Sequence, residues 1–174
     1  MNMYTPTSDA EQICSWAKKA REAYKRGKLD VIDYLEFLQR EGACFVVILP
    51  DDEMELEKAY THIKHKIICI AESVYIDAFN DDPQARFIIA HEIGHIILHS
   101  NKEKVAIHDK MEDEANLFAT ELLIPSEWII REMRRRVIKI IGADYIAQKF
   151  GVEENIAKEQ LKTVRSRLGI HGLW

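Results

Sequence analysis

The chain has 174 residues, 47% hydrophobic and 30% charged, with 7 Gly and 4 Pro, a make-up that excludes disordered, collagenous and low-complexity classes and suits one compact domain with helices prevailing. Its 24 Lys+Arg against 29 Asp+Glu give a formal net charge of -5, so the molecule as a whole has no field drawing it to DNA or an anionic membrane. No apolar run reaches the roughly 18 residues of a membrane span, and the opening MNMYTPTSDAEQ lacks a signal-peptide layout, so the expected location is the cytoplasm. Cys14, Cys44 and Cys69 are odd in number, scattered and flanked by apolar residues. That pattern fits reduced core thiols better than a disulfide frame or a thiolate metal site.

In chain order, Ser8 and Asp9 can cap a helix running to Tyr24, with Gly27 at its end, and a second helix fits Asp30 to Arg40, stopped by Gly42. Ala43 to Leu49 (ACFVVIL), closed by Pro50, reads as a buried strand. Lys66 to Ala71 (KIICIA) and Val74 to Ala78 (VYIDA) read as a hairpin or two consecutive strands. Asp82 followed by Pro83 is a strong helix start, and an apolar segment then continues to His99. Asp109 begins another helix that ends before Pro125. Ser126 can cap a third, Glu127 to Ile141, stopped by Gly142, and Ala143 to Gly169 reads as two short helices around Gly151. The expected fold is α+β, a small mixed or antiparallel sheet packed on a helical bundle. One domain, 1–174, would comprise a helical N-terminal part (1–42), the sheet and site helices (43–125) and a helical tail (126–174).

The chemistry sits in His91-Glu92-Ile93-Gly94-His95, an H-E-x-x-H inside the helix begun at Asp82. Residues four apart share a helix face, so both imidazoles can reach one metal, while Glu92, about 100° round, is placed to reach a water on that metal. Ile89, Ile93 and Ile96 lie opposite the histidines and Phe87, Ile88 and Leu98 beside them, so the helix is apolar nearly all round and should be buried. Burying these polar groups unpartnered would cost several kcal/mol. His99 is about 12 Å along the axis from His91, too far to share a metal with it, so it is expected to orient a ligand or close the helix end.

A third ligand is sought on Met111 to Leu123 (MEDEANLFATELL). With Glu112 as origin, Ala115, Asn116, Ala119, Leu122 and Leu123 fall on its side, and Glu114 and Glu121 fall opposite. Glu112 is therefore expected to face inward, with small Ala115 and Ala119 allowing close approach, Asn116 orienting a ligand, and Glu114 in solvent. Asp109-x-x-Glu112 also matches a capping box, which would give Glu112 a purely local task.

The pair RFIIAHEIGHIILH (Arg86 to His99) and EDEANLFATELLIP (Glu112 to Pro125) closely resembles the ImmA/IrrE family of zinc metallopeptidases. The resemblance implies one zinc ion per chain held by His91, His95 and Glu112, with Glu92 as catalytic acid/base. Ile124 stands where a methionine is common, which touches no catalytic position. The resemblance further implies a protein substrate, a helix-turn-helix repressor often encoded on a mobile element or in a stress regulon, whose cleavage turns on the genes it held off. A zinc endopeptidase of this regulatory type is the principal expectation. Its alternatives are a catalytically silent metal-holding binding module and a DNA-binding regulator acting through the tail.

Arg131, Arg134, Arg135, Arg136 and Lys139 form a basic stripe, read as a solvated face. Residues 144–169 resemble a helix-turn-helix, but Glu153, Glu154 and Glu159 open its second helix, where DNA readout wants cations or amides, so direct nucleic-acid binding is not expected. No membrane partner is expected. Tyr75, His62, His65 and His108 are equal candidates for an oxyanion donor. Substrate is expected to add as a strand along Ser73, Val74, Tyr75, Ile76 and Asp77, where Asp77 would protect an otherwise unpaired edge.

Overall fold

The computed structural model describes residues 8–24, 28–54, 57–100, 108–135 and 141–170. Its elements are helices α1 (Ser8–Tyr24) and α2 (Val31–Arg40), strands β1 (Phe45–Leu49), β2 (Ala59–His62) and β3 (Ile67–Ala71), then helices α3 (Glu72–Phe79), α4 (Pro83–His99), α5 (His108–Leu123), α6 (Ser126–Arg135), α7 (Ala143–Phe150) and α8 (Glu154–Arg167). The architecture is α+β with a small mixed sheet, as the sequence led us to expect. No described helix is long and apolar enough to cross a membrane.

The sheet order is β1-β3-β2. The two β-branched runs, FVVIL and IICIA, pair in parallel with Phe45 opposite Ile67 and Leu49 opposite Ala71. β3 is the central strand, its Ile68 and Ile70 fully buried. Its hairpin partner is β2, antiparallel, with His62 opposite Ile67. AYTH carries no apolar alternation, and the sequence alone did not reveal it as a strand.

The segment expected as a third strand, Val74 to Ala78, is instead part of α3. The reason is spacing: Val74 and Ala78, four apart, are the two residues α3 buries, while Ile76 and Phe79 are exposed. The backbone leaves β3 extended at Ala71, and the Ser73 N–H donates to Asp51 Oδ1 at 3.0 Å, so the chain turns straight into the helix. Five residues are too few for periodicity to separate strand from helix. Strand addition along Ser73 to Asp77 is thereby overturned.

α4 is the centre of the molecule. Asp82 Oδ1 accepts from the Ala85 N–H at 2.9 Å and Pro83 occupies the first turn. Ile89 and Ile93 have no exposed surface, and α4 packs against α5, α3, α2, β2 and β3. α5 is sandwiched in turn between α4 and α1. Arg86, 1% exposed, reaches out of α4 to donate to the carbonyls of Phe150 (2.8 Å), Leu29 (2.7 Å) and Gly151. Gly151 ends α7 at φ +61°, and a Cβ there would collide with that guanidinium, so both backbone and space require glycine.

The tail forms an α7–α8 helical hairpin that buries Ile146, Phe150, Val152, Ala157, Leu161 and Val164. Arg131, Arg134 and Arg135 are exposed, whereas Arg136, Lys139 and the expected extension of α6 lie outside the described residues. Ser126 does not cap α6 with its side chain. Its N–H and hydroxyl both donate to Glu121 of α5, at 3.0 and 2.9 Å.

Candidate metal centre

His91 and His95 project from α4 and Glu112 from α5, and one ligand atom of each lies within 4.8 Å of the others. His91 Nε2 is 3.1 Å from Glu112 Oε2, His95 Nε2 is 3.3 Å from Glu112 Oε1, and the two Nε2 atoms are 3.0 Å apart. The convergence is built by small residues. At Gly94 a Cβ would come within 3.2 Å of the Cα and carbonyl oxygen of Ala115 and of the Phe118 ring, so the two helix backbones are as close as they can be where the ligands meet.

The Nδ1 atoms of both histidines are engaged outside the cluster. The His91 Nδ1–H donates to Asn116 Oδ1 at 2.9 Å, and His95 Nδ1 is 3.2 Å from His99 Nδ1. With both Nδ1 atoms so engaged, two imidazole Nε2 atoms and a carboxylate face one another across about 3 Å. Three such groups gathered so closely fit a divalent cation, and two imidazoles with one carboxylate make a donor set that zinc accepts.

Glu92 is buried, and burial pushes its carboxyl above the usual range, opposed by a hydrogen bond from the Thr61 hydroxyl to Glu92 Oε2 at 2.6 Å. Thr61 lies on β2, so this strand runs beside α4 at the site. It was missed in the sequence because a polar residue in an unrecognised strand carries no motif.

The wheel drawn for α5 needs correction at Glu114. The residue is buried, not solvated, with Oε2 3.0 Å from His99 Nε2. The solvent side of α5 is at Asp113 and Asn116, while Glu114, Ala115, Phe118, Glu121 and Leu122 all turn inward. Glu112, at the edge of that exposed side, keeps 39% of its side chain open. Ser73 to Asp77 belong to α3, and Tyr75 is tied to Glu36 of α2. His62 ends β2 against the Tyr60 ring, His65 is exposed in the following turn, and the His108 side chain lies outside the described set.

The family model of the IrrE N-terminal-like domain, a peptidase family, matches residues 42–162. Metallopeptidase ImmA of Bacillus subtilis (strain 168) is 31% identical over 104 residues, covering 55% of this chain and 60% of that protein. An uncharacterized immunity region protein 2 of Bacillus phage phi105 is 32% identical over 91 residues, covering 48% of this chain and 55% of its own length. The alignments thus span under two thirds of both relatives. A Mycobacterium tuberculosis transcriptional regulator shares the fold at TM-score 0.57 and 19% identity, over 91% of this chain and 47% of that one.

Proposed function

The chain belongs to the ImmA/IrrE-type metallopeptidase family, and from that premise we propose that it is a zinc-dependent endopeptidase of regulatory type that cleaves a helix-turn-helix repressor. The convergence of His91, His95 and Glu112 on one point is the observation that carries this reading. When bound there, zinc would polarise the scissile carbonyl and lower the pKa of a water toward roughly 7. Glu92 takes the proton of the attacking water and delivers it to the leaving amine. A carboxyl already raised by burial suits both tasks, and the Thr61 hydroxyl fixes its orientation from one side.

The substrate must lie extended to present its carbonyl to the centre, and β2 supplies the support that Ser73 to Asp77 does not. It is an edge strand of the sheet, it packs against α4, and its Thr61 touches Glu92. A repressor from the same genome, incubated with the zinc-loaded protein and followed by mass spectrometry, should yield one discrete cut that Glu92→Gln abolishes. Stable binding without a cut would instead favour the metal-holding binding module.

A further inference from the structure

Resting on the zinc site proposed above, we propose that Glu114 and His99 are positioning residues: together they fix the proton of His95 on Nδ1 and so aim its Nε2 lone pair at the metal. With His99 a neutral imidazole, donor and acceptor chemistry sets the order along this chain of contacts. A carboxylate can only accept, so the His99 nitrogen 3.0 Å from Glu114 Oε2, its Nε2, carries the proton. An imidazole with its one proton on Nε2 can only accept at Nδ1. His99 Nδ1 faces His95 Nδ1 at 3.2 Å, so the proton between them belongs to His95, whose Nε2 is left as the electron-pair donor turned toward Glu112 and His91.

Burial gives the chain its strength. His99 is 3% exposed and Glu114 8%, and in so dry a place a misplaced proton would set two lone pairs or two N–H groups against each other. The carboxylate is anchored in turn. Lys110 lies 3.6 Å from Glu114 Oε1 and donates to Asp9 Oδ2 of α1 at 3.0 Å, tying the far end to a third helix. The other histidine is held differently, since the His91 Nδ1–H donates to the exposed amide of Asn116. One ligand is thus oriented by a single exposed amide and the other by a buried carboxylate–histidine pair, the arrangement in which outer groups raise the basicity of a ligating imidazole.

The test reads the proton directly and the metal separately. In zinc-free, histidine-labelled protein, two-bond proton–nitrogen correlations distinguish the two ring tautomers. Wild type should show His95 protonated on Nδ1, and Glu114→Ala should lose that preference. In competition with a chromophoric chelator, Glu114→Ala and His99→Phe should bind zinc roughly ten- to a hundredfold more weakly. Glu114→Gln, whose amide oxygen still accepts from His99, should retain the tautomer and much of the affinity, which a role in packing charge alone would not predict. A wild-type His95 protonated on Nε2, or a folded Glu114→Ala binding zinc within twofold of wild type, would overturn the proposal. Were Glu114→Ala to fail to fold, the wild-type tautomer and the His99→Phe affinity would decide. A wild type that takes up no zinc would sink the zinc site itself, and the tautomer measurement on zinc-free protein would still stand or fall by itself.

Discussion

Gly94 of α4 and Ala115 of α5 face each other with no room for a methyl group between them. The flanking residues repeat the relationship: His91 and His95 stand either side of Gly94 in one helix turn, as Glu112 and Asn116 stand either side of Ala115. The candidate metal centre is therefore assembled by a contact between two backbones, and its dimensions follow from that contact.

Gly94→Ala should separate these backbones by a few tenths of an ångström, because the facing atoms belong to Ala115 itself and cannot swing aside. Overpacking of this kind costs typically ~1–3 kcal/mol, partly offset by alanine's better helix propensity. Zinc affinity should fall by more than stability does, since the ligands are drawn apart. Chemical denaturation and chelator competition on the same variant compare the two, and unchanged zinc affinity would contradict the account.

Glu112→Ala should strip the candidate centre of its carboxylate donor and reduce zinc affinity sharply. Glu92→Gln should keep about one zinc per chain yet lose cleavage, since an amide of the same shape cannot take the proton. Metal analysis beside a cleavage assay separates the two roles. Wild-type cleavage by Glu92→Gln would refute the mechanism.

Thr61→Val removes the hydroxyl that donates to Glu92 while keeping the side-chain shape and the β2 pairing. A hydrogen bond to a charged group is worth ~1.5–3 kcal/mol, so cleavage should slow about tenfold or more with zinc content unchanged. An equal rate would show that Glu92 needs no support from β2.

Cys44 gives a dependence on pH that is independent of the metal. The thiol is 1% exposed, and burial pushes it from 9.0 up to about 11. Because the folded pKa is raised, the unfolded chain releases its proton first as pH climbs past 9, and the stability this thiol contributes is lost between pH 9 and 11. Between those limits, wild type should lose on the order of 2 kcal/mol relative to Cys44→Ala. Denaturation of both proteins at pH 8.5 and 10.5 measures the difference, and a constant gap would show that burial does not raise the Cys44 thiol above its unfolded value.

The sequence was most informative where several signals coincide. α4 carries a cap, a proline in its first turn and the H-E-x-x-H at once, and Asp82 does cap it as its position suggested. α3 was misread because Val74, Tyr75 and Ile76 favour strands and alternate, while the i, i+4 pair Val74 and Ala78 that the structure buries is only one turn long. β2 carries no sequence signal because an edge strand of three half-buried residues and an exposed His62 needs no apolar pattern. Glu114 was placed in solvent by a wheel that took Glu112 as the centre of the inner face. With α1 on one side of α5 and α4 on the other, the true open arc is narrow and lies at Asp113 and Asn116. Glu114 and Thr61 act on other side chains at a distance in sequence, and no spacing rule announces such partners.

Arg86 gives the molecule a shared fate. Its guanidinium is held by the carbonyls of Leu29, Phe150 and Gly151, and the helix that carries it bears His91 one turn and a half further on. Peeling the α7–α8 hairpin away would take two of the three carbonyls from this buried guanidinium, so fraying of the hairpin is coupled to the helix that carries the site. Amide hydrogens of α4 and of α7 should therefore exchange with a common opening free energy, and Arg86→Met should uncouple them, letting α7 exchange first. A protease nick in the hairpin would then be felt as loss of the metal, far from any ligand.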